Sequence, residues 1–193
     1  MARRTPDTLD CASAQWIGKR REQEDVVKSL SVDGGMLGIV CDGMGGHLRG
    51  ACASCVVADA FASAFAESGQ QEIPARLAEA LHAGNEALAA TQKEPEESGT
   101  TLLAAFIRDR CLWWISVGDS PLYLWSGTDG SCMDRLNEDH SMRPIADCLY
   151  RKGEMSLQRA LRQRCVLRSA VMGGPVELVD ISVMPLLLHP GDA

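Results

Sequence analysis

Three acidic clusters in this chain have residue types and spacing suited to chemistry. Asp42 ends the apolar run Met36-Leu37-Gly38-Ile39-Val40-Cys41 and is followed by Gly43-Met44-Gly45-Gly46. Glycines at a sharp turn let a carboxylate and the neighbouring carbonyls be presented with little steric obstruction. Such a set suits a hard cation: Mg²⁺ and Mn²⁺ take oxygen ligands and keep several waters, so one or two carboxylates and a backbone carbonyl suffice. The glycine spacing matches neither the phosphate-binding loop of nucleotide hydrolases nor the dinucleotide fingerprint. The second cluster is Gly18-Lys19-Arg20-Arg21-Glu22-Gln23-Glu24-Asp25, and the third is Val117-Gly118-Asp119-Ser120. Taken singly, each is an ordinary turn or a solvated loop. Taken in order, they place an arginine and several carboxylates at strand ends, as metal-assisted hydrolysis of a phosphate ester requires, with the guanidinium on the phosphate oxygens and the metal activating water.

The elements that must position these groups are legible from periodicity. Ala14-Gln15-Trp16-Ile17 and Val26-Val27-Lys28-Ser29-Leu30 read as short strands, and Asp33-Gly34-Gly35 is a turn before the apolar run that stops at Asp42. A helical period follows from His47 to about Ala66, with Val57, Phe61 and Phe65 on one face. Ile73, Leu77, Leu81 and Leu88 form the apolar face of a second helix over Ile73–Thr91, which a polar loop around Pro95 ends. Thr100–Ile107 and Cys111–Val117, joined by Arg108-Asp109-Arg110, have the look of a buried antiparallel hairpin. Short strands are expected at Leu122–Trp125 and Met133–Leu136, helices at Met142–Lys152 and Ser156–Gln163, and a last strand at Leu178–Leu188. Helices inserted among antiparallel strands give an α+β layered domain.

At 193 residues the chain is one domain, long enough to bury a substantial core. A net charge of −7 leaves no broad basic surface for a phosphate backbone, so nucleic-acid binding is disfavoured. With 46% hydrophobic and 23% charged residues the chain is expected to fold rather than remain disordered. The start, Met1 to Asp7, is basic but lacks the apolar stretch of a secretory signal, and no run of consecutive apolar residues is long enough to span a membrane. The expected compartment is the cytoplasm. The eight cysteines are accordingly expected to be reduced, most of them packed as small hydrophobes. Cys52-x-x-Cys55 has the spacing of a redox or zinc pair, yet no second pair with ligand spacing accompanies it, and two small residues on a helix is the simpler reading.

In its ordered motifs the chain resembles the bacterial metal-dependent PPM-type (protein phosphatase type 2C) serine/threonine phosphatases. The motifs are Gly18 to Asp25, Val40-Cys41-Asp42-Gly43-Met44-Gly45-Gly46-His47, Ser98-Gly99-Thr100-Thr101, Val117-Gly118-Asp119-Ser120, Asp139-His140-Ser141, Val166 to Gly174, and Leu188-His189-Pro190-Gly191-Asp192. The resemblance implies a sandwich of two antiparallel β-sheets flanked by helices in four αββα layers, over residues 13–193, after an N-terminal tail of residues 1–12. It implies that Arg20 binds the substrate phosphate, that Asp42 bridges two Mg²⁺ or Mn²⁺ ions and that the Gly43 carbonyl completes the shell of one. It further implies that Glu24 and Asp25 orient metal-bound waters or surround the second metal, and that Asp119 helps hold a weaker third ion. The implied reaction is direct attack of a metal-activated water on phosphoserine or phosphothreonine in a protein, opposing a serine/threonine kinase.

The chain departs from the family at Gln23, where an asparagine is usual, at Pro121, where an arginine is usual, and at Arg168-Ser169, where the order is usually Thr-Arg. The family continues beyond Pro190-Gly191-Asp192 with further strands and two more metal-binding aspartates, so this sequence is expected to lack the C-terminal portion of the domain and the fold to be incomplete there. The competing expectation is a non-catalytic phosphoprotein-binding or regulatory module.

Overall fold

A computed structural model describes residues 9–20, 22–45, 48–92, 98–126 and 132–193. Arg21, Gly46 and His47, the basic start, and parts of the loops around Pro95 and Gly130 lie outside the described residues. The element order is β1 (Asp25–Val32), β2 (Gly35–Met44), α1 (Leu48–Glu67), α2 (Ile73–Thr91), β3 (Gly99–Thr100), β4 (Leu102–Arg108), β5 (Cys111–Val117), β6 (Tyr123–Ser126), β7 (Cys132–Arg135), α3 (Arg143–Arg151), α4 (Leu157–Gln163), β8 (Asp180–Ile181) and β9 (Leu186–Leu187).

The strands form one seven-stranded antiparallel sheet, in the order β1-β2-β4-β5-β8 with β3 on β2 and β9 on β5, and a separate two-stranded ribbon, β6-β7. The α+β class and the antiparallel pairing agree with expectation. Among the described residues the second sheet consists of the ribbon alone, so the second face of the large sheet is covered less fully than the helix face.

Alternation sorts the strand residues between those faces. Leu37 and Ile39 of β2 lie level with Phe106 and Ala104 of β4 on one side, and all four are buried, as are Cys41 and Leu102. Helices α1 and α2 cover that side, α1 over β1 and β2 and α2 over β5. Val57, Phe61 and Phe65 recur every turn on α1, and Leu77, Leu81 and Leu88 face them from α2. Phe65 packs on Phe106 with ring centroids 5.0 Å apart in a tilted arrangement, which welds helix to sheet. Gly84 lets the helices approach closely, because a Cβ there would lie 3.2 Å from the Val57 carbonyl oxygen. By length and composition Arg49–Glu67 could cross a bilayer, but its apolar stripe is the core of this domain.

Three local expectations are corrected. Residues 14–17 form no strand, and Trp16 is 86% exposed. The strand expected over Leu178–Leu188 is two short pieces, β8 and β9, pairing opposite ends of β5. Between them the Ser182 hydroxyl takes the Trp114 N–H at 2.8 Å, while Val183 and Met184 loop outward ahead of Pro185, which has no N–H to give the ladder. Finally, of the cysteines whose side chains are described, only Cys41 is buried; Cys11, Cys52, Cys55 and Cys165 are exposed. Cys52 and Cys55 sit one turn apart on α1, where Cys55 donates to Asp59.

Candidate active site

The end of β2 is built for close approach. Gly43 donates its N–H to the Glu24 carbonyl at 3.1 Å, and the Ser54 hydroxyl of α1 donates to the same carbonyl at 2.6 Å. A Cβ on Gly43 would lie 2.2 Å from the Gly50 carbonyl oxygen, so a glycine here is what lets the start of α1 sit against the strand. Glu24 is thereby fixed beside Asp42, and its carboxylate meets the Arg20 guanidinium at 3.6 Å.

Asp42 is held by the other neighbour of β2. Its N–H donates to the Thr101 hydroxyl at 3.0 Å, and its carbonyl accepts from the Thr101 N–H at 2.9 Å and the Thr100 hydroxyl at 3.1 Å. The Thr101 hydroxyl is also 2.9 Å from the Ser120 hydroxyl, and Asn137 donates to the Ser120 carbonyl at 2.9 Å. Gly118, at φ +105, packs its backbone on Thr101, where a Cβ would come within 2.6 Å of the methyl group. Its N–H donates to Nδ1 of His140 at 3.3 Å, and its carbonyl accepts the His140 N–H at 3.0 Å. Burial holds that imidazole below its usual range, in keeping with an accepting Nδ1. Pro121 falls in a short irregular stretch before β6 rather than in a strand.

These contacts bring Arg20, Glu24, Asp42, Gly43 and Asp119 to the wall of one open cavity of about 690 Å³. Asp25 stands level with Asp42 across the β1–β2 ladder. Burial, followed by the charge of Asp25 and a hydrogen bond to it, pushes the Asp42 carboxyl up to about 6; Asp119 adds to the rise and Arg20 opposes it. A carboxyl pushed up by burial and then by the carboxylates that face it is a place where a cation relieves the repulsion. The donor set is sparse: among the described residues no three acidic, His or Cys side chains gather as a ready-made ligand group. That fits a cation resting on Asp42, Asp25 and the Gly43 carbonyl and otherwise hydrated, as Mg²⁺ and Mn²⁺ prefer.

Sequence reasoning gave no role to Thr101 and noted Arg168 only as a departure, yet both line the cavity. The Ser98-Gly99-Thr100-Thr101 segment was visible as a motif; its hydrogen bonds to a strand far away in sequence were not.

Residues 17–144 match the family model of protein phosphatase 2C. The chain belongs to the protein phosphatase 2C family. It is 34% identical over 157 residues to the serine/threonine phosphatase stp of Listeria innocua, an alignment covering 76% of this chain and 60% of that relative. The chain therefore spans less than two thirds of the relative's length. The crystal structure of the Mycobacterium tuberculosis serine/threonine phosphatase PstP/Ppp superposes with a TM-score of 0.67 at 28% identity, covering 90% of this chain and 70% of that one. A structure of the PstP catalytic domain in complex with two manganese ions gives the same TM-score and identity, covering 90% of this chain and 69% of that one. The protein phosphatase 2C fold is thus present with helices α1 and α2 and the large sheet in place.

Proposed function

We propose that this protein is a metal-dependent hydrolase of phosphoserine and phosphothreonine in protein substrates, acting in the cytoplasm opposite a serine/threonine kinase. The observation that carries the reading is the convergence of the Arg20 guanidinium with the carboxyl groups of Glu24, Asp42 and Asp119 on one open cavity. Family membership and the two manganese ions of the related PstP catalytic domain support it.

Asp42 and Asp25, with the Gly43 carbonyl, would hold a Mg²⁺ or Mn²⁺ ion, and Asp119 would add charge for further ions. Such ions, when bound, lower the pKa of water and neutralise phosphate charge. Arg20 is 65% exposed at the cavity wall and pairs with Glu24 at a loose 3.6 Å, so its guanidinium can take two phosphate oxygens from solution. Glu24, with its side chain 12% exposed, orients water by accepting hydrogen bonds and keeps Arg20 over the site when no phosphate is present. Thr101 and Ser120 hold Asp42 and the Asp119 turn at fixed separation, which preserves the site geometry without touching substrate.

The test is hydrolysis of p-nitrophenyl phosphate and a phosphothreonine peptide with Mn²⁺ and with EDTA, using Asp42→Asn as the blank. Turnover that needs Mn²⁺ and vanishes in the variant is expected, since an amide cannot replace the carboxylate. Arg20→Ala is expected to raise KM more than it lowers kcat. The sparse donor set favours one second reading, a phosphoprotein-binding module without turnover. A folded chain that binds the phosphopeptide and leaves it intact under Mn²⁺ would establish that reading and overturn the first.

A further inference from the structure

The candidate active site makes no use of Cys52 and Cys55, and no other two of the eight cysteines lie within three residues of each other. Both belong to α1 and both are exposed. Residues three apart on an α-helix have Cα atoms about 5 Å from each other, inside the range of about 4.4–6.8 Å that a disulfide spans. Zinc on this pair would need further ligands, and among the described residues no three His, Cys, Asp or Glu side chains gather to supply them. Oxidation is the chemistry left to two thiols so placed.

Their surroundings give the two sulfurs different parts. The Cys55 thiol donates to the Asp59 carboxylate at 3.4 Å, and Lys28 fixes that carboxylate at 2.6 Å. The hydrogen bond to Asp59, and then burial, raises the Cys55 thiol above its ordinary range. Cys55 therefore keeps its proton, which has a carboxylate ready to take it, and Cys52 is the sulfur that meets an oxidant first. Cys41, by contrast, is buried and pushed up to about 12, which keeps it inert.

The turn between the two cysteines is the one that holds α1 to the candidate active site. Ala53 and Ser54 are 0% exposed. The Ser54 hydroxyl donates to the Glu24 carbonyl at 2.6 Å, the same carbonyl that takes the Gly43 N–H. Gly50, just ahead, lies so close to the strands that a Cβ on it would be 3.0 Å from the Gly43 carbonyl carbon and 3.1 Å from Oε2 of Glu24. Cβ atoms three apart on a helix stand about 5–6 Å from each other, whereas a disulfide holds them at about 3.5–4.5 Å. Closing the bridge thus draws this turn in by about 1–2 Å, and its inner face, packed on the sheet, has no room to yield.

We propose that Cys52 and Cys55 are a reversible dithiol–disulfide pair whose oxidation pulls Ser54 from the Glu24 carbonyl and weakens the cation site at Asp42. The bridge stands on geometry alone; its effect on the cation rests on the phosphatase reading. Hydrogen peroxide is the oxidant. The Cys52 thiolate attacks one peroxide oxygen, an S–O bond forms, the O–O bond breaks, and the departing hydroxide takes up the thiol proton as water. The Cys55 sulfur then attacks the Cys52 sulfur, the S–S bond forms, the S–O bond breaks, and the leaving hydroxide takes the Cys55 proton by way of Asp59. Two thiols lose two electrons and one peroxide becomes two waters. A dithiol reverses the step, and a strained, exposed bridge is the kind that reduces readily. In a reducing compartment such a bridge forms transiently, as a sensor.

The experiment treats the full chain with hydrogen peroxide, removes the excess with catalase, and alkylates the remaining thiols with iodoacetamide under denaturing conditions. Trypsin then releases residues 50–76, whose only cysteines are Cys52 and Cys55. Mass spectrometry is expected to find that fragment two hydrogens lighter and unalkylated, and alkylated at both positions after dithiothreitol. Calorimetric titration of the oxidised chain with Mn²⁺ is expected to show affinity reduced about tenfold, restored by dithiothreitol. In EDTA the bridge is expected to lower Tm by roughly 2–4 °C through loss of the Ser54 hydrogen bond. Cys52→Ser/Cys55→Ser should keep the reduced chain's Mn²⁺ affinity and Tm before and after peroxide. Two alkylated cysteines after peroxide, a bridge to another cysteine or another chain, or sulfinic acid without a bridge would each overturn the proposal. So would a bridge that leaves Mn²⁺ affinity or Tm at the reduced value, or an equal fall in the double variant. A chain that forms the bridge and loses Tm but binds no Mn²⁺ in either state keeps the redox pair and loses the phosphatase reading.

Discussion

Asp25 and Asp42 stand directly opposite each other across the β1–β2 ladder, two carboxyl groups on one face of the sheet. Like charges so placed destabilise a strand pair. A proton relieves the repulsion: burial and then Asp25 raise the Asp42 carboxyl to about 6, and the protonated group hydrogen-bonds its partner. The site stores an unfavourable interaction that a cation can discharge, and the stored repulsion has a measurable signature.

Without divalent ions the protein is expected to lose stability as pH rises through about 6. The folded state binds the Asp42 proton more tightly than the unfolded chain, whose value is near 3.8, so this stabilisation is complete below that pH and gone above about 6. Screening by water in the open cavity limits the effect to about 1 kcal/mol. Thermal melts in EDTA across that window should show a falling Tm in wild type and a smaller fall in Asp42→Asn; superimposable profiles would remove the Asp25–Asp42 interaction as the cause.

Thr101→Val keeps the side-chain shape but deletes the hydroxyl that accepts the Asp42 N–H and meets Ser120. Leaving a half-buried donor unpaired costs about 1–3 kcal/mol. Urea unfolding reads that loss. Mn²⁺ titration should show weaker binding in step with it, because Asp42 is no longer tethered to the Asp119 turn, and unaltered Mn²⁺ affinity would assign Thr101 to stability alone.

Gly43→Ala forces a Cβ to within 2.2 Å of the Gly50 carbonyl oxygen and 2.7 Å of the Glu24 carbonyl oxygen. Neither neighbour is a flexible side chain, so α1 must move, at a cost of about 3 kcal/mol or more. For a chain of this size that lowers Tm by roughly 6–12 °C. Gly69→Ala is the control, since nothing lies within 4 Å of a Cβ there; equal Tm values for the two variants would refute the close-approach argument.

Arg76→Met tests a junction remote from the site. The buried guanidinium donates to the Phe65 carbonyl at the end of α1, pairs with Asp33 in the β1–β2 turn at 2.6 Å and stacks 4.3 Å over the Phe65 ring. Methionine preserves much of the volume but leaves that carbonyl without its partner, a loss of about 2–4 kcal/mol. The denaturant midpoint should fall with an unchanged slope, and a midpoint equal to wild type would show that water replaces the guanidinium.

Much of this architecture was legible from sequence because it follows from local repeats. Ile73, Leu77, Leu81 and Leu88 mark one helix face, and α2 spans the residues that this pattern encloses. The β4–β5 hairpin and Ser156 as the start of α4 were equally local, the serine accepting from the Arg159 N–H. Asp42, Arg20 and Asp119 were recognisable as a set because their motifs occur in order along the chain, with Asp42 and Asp119 each at or just past the end of an apolar strand. Tertiary structure decided what those residues meet. That Asp25 faces Asp42, that Thr101 grips both the N–H and the carbonyl of Asp42, that the last strand breaks at Ser182 and that most of the described cysteine side chains stay in water all depend on strand register and on which surface a second element covers. A repeat of 2 or 3.6 residues specifies which face of an element is apolar; the partner across a ladder depends on where two distant segments align, and no period within either segment contains that information.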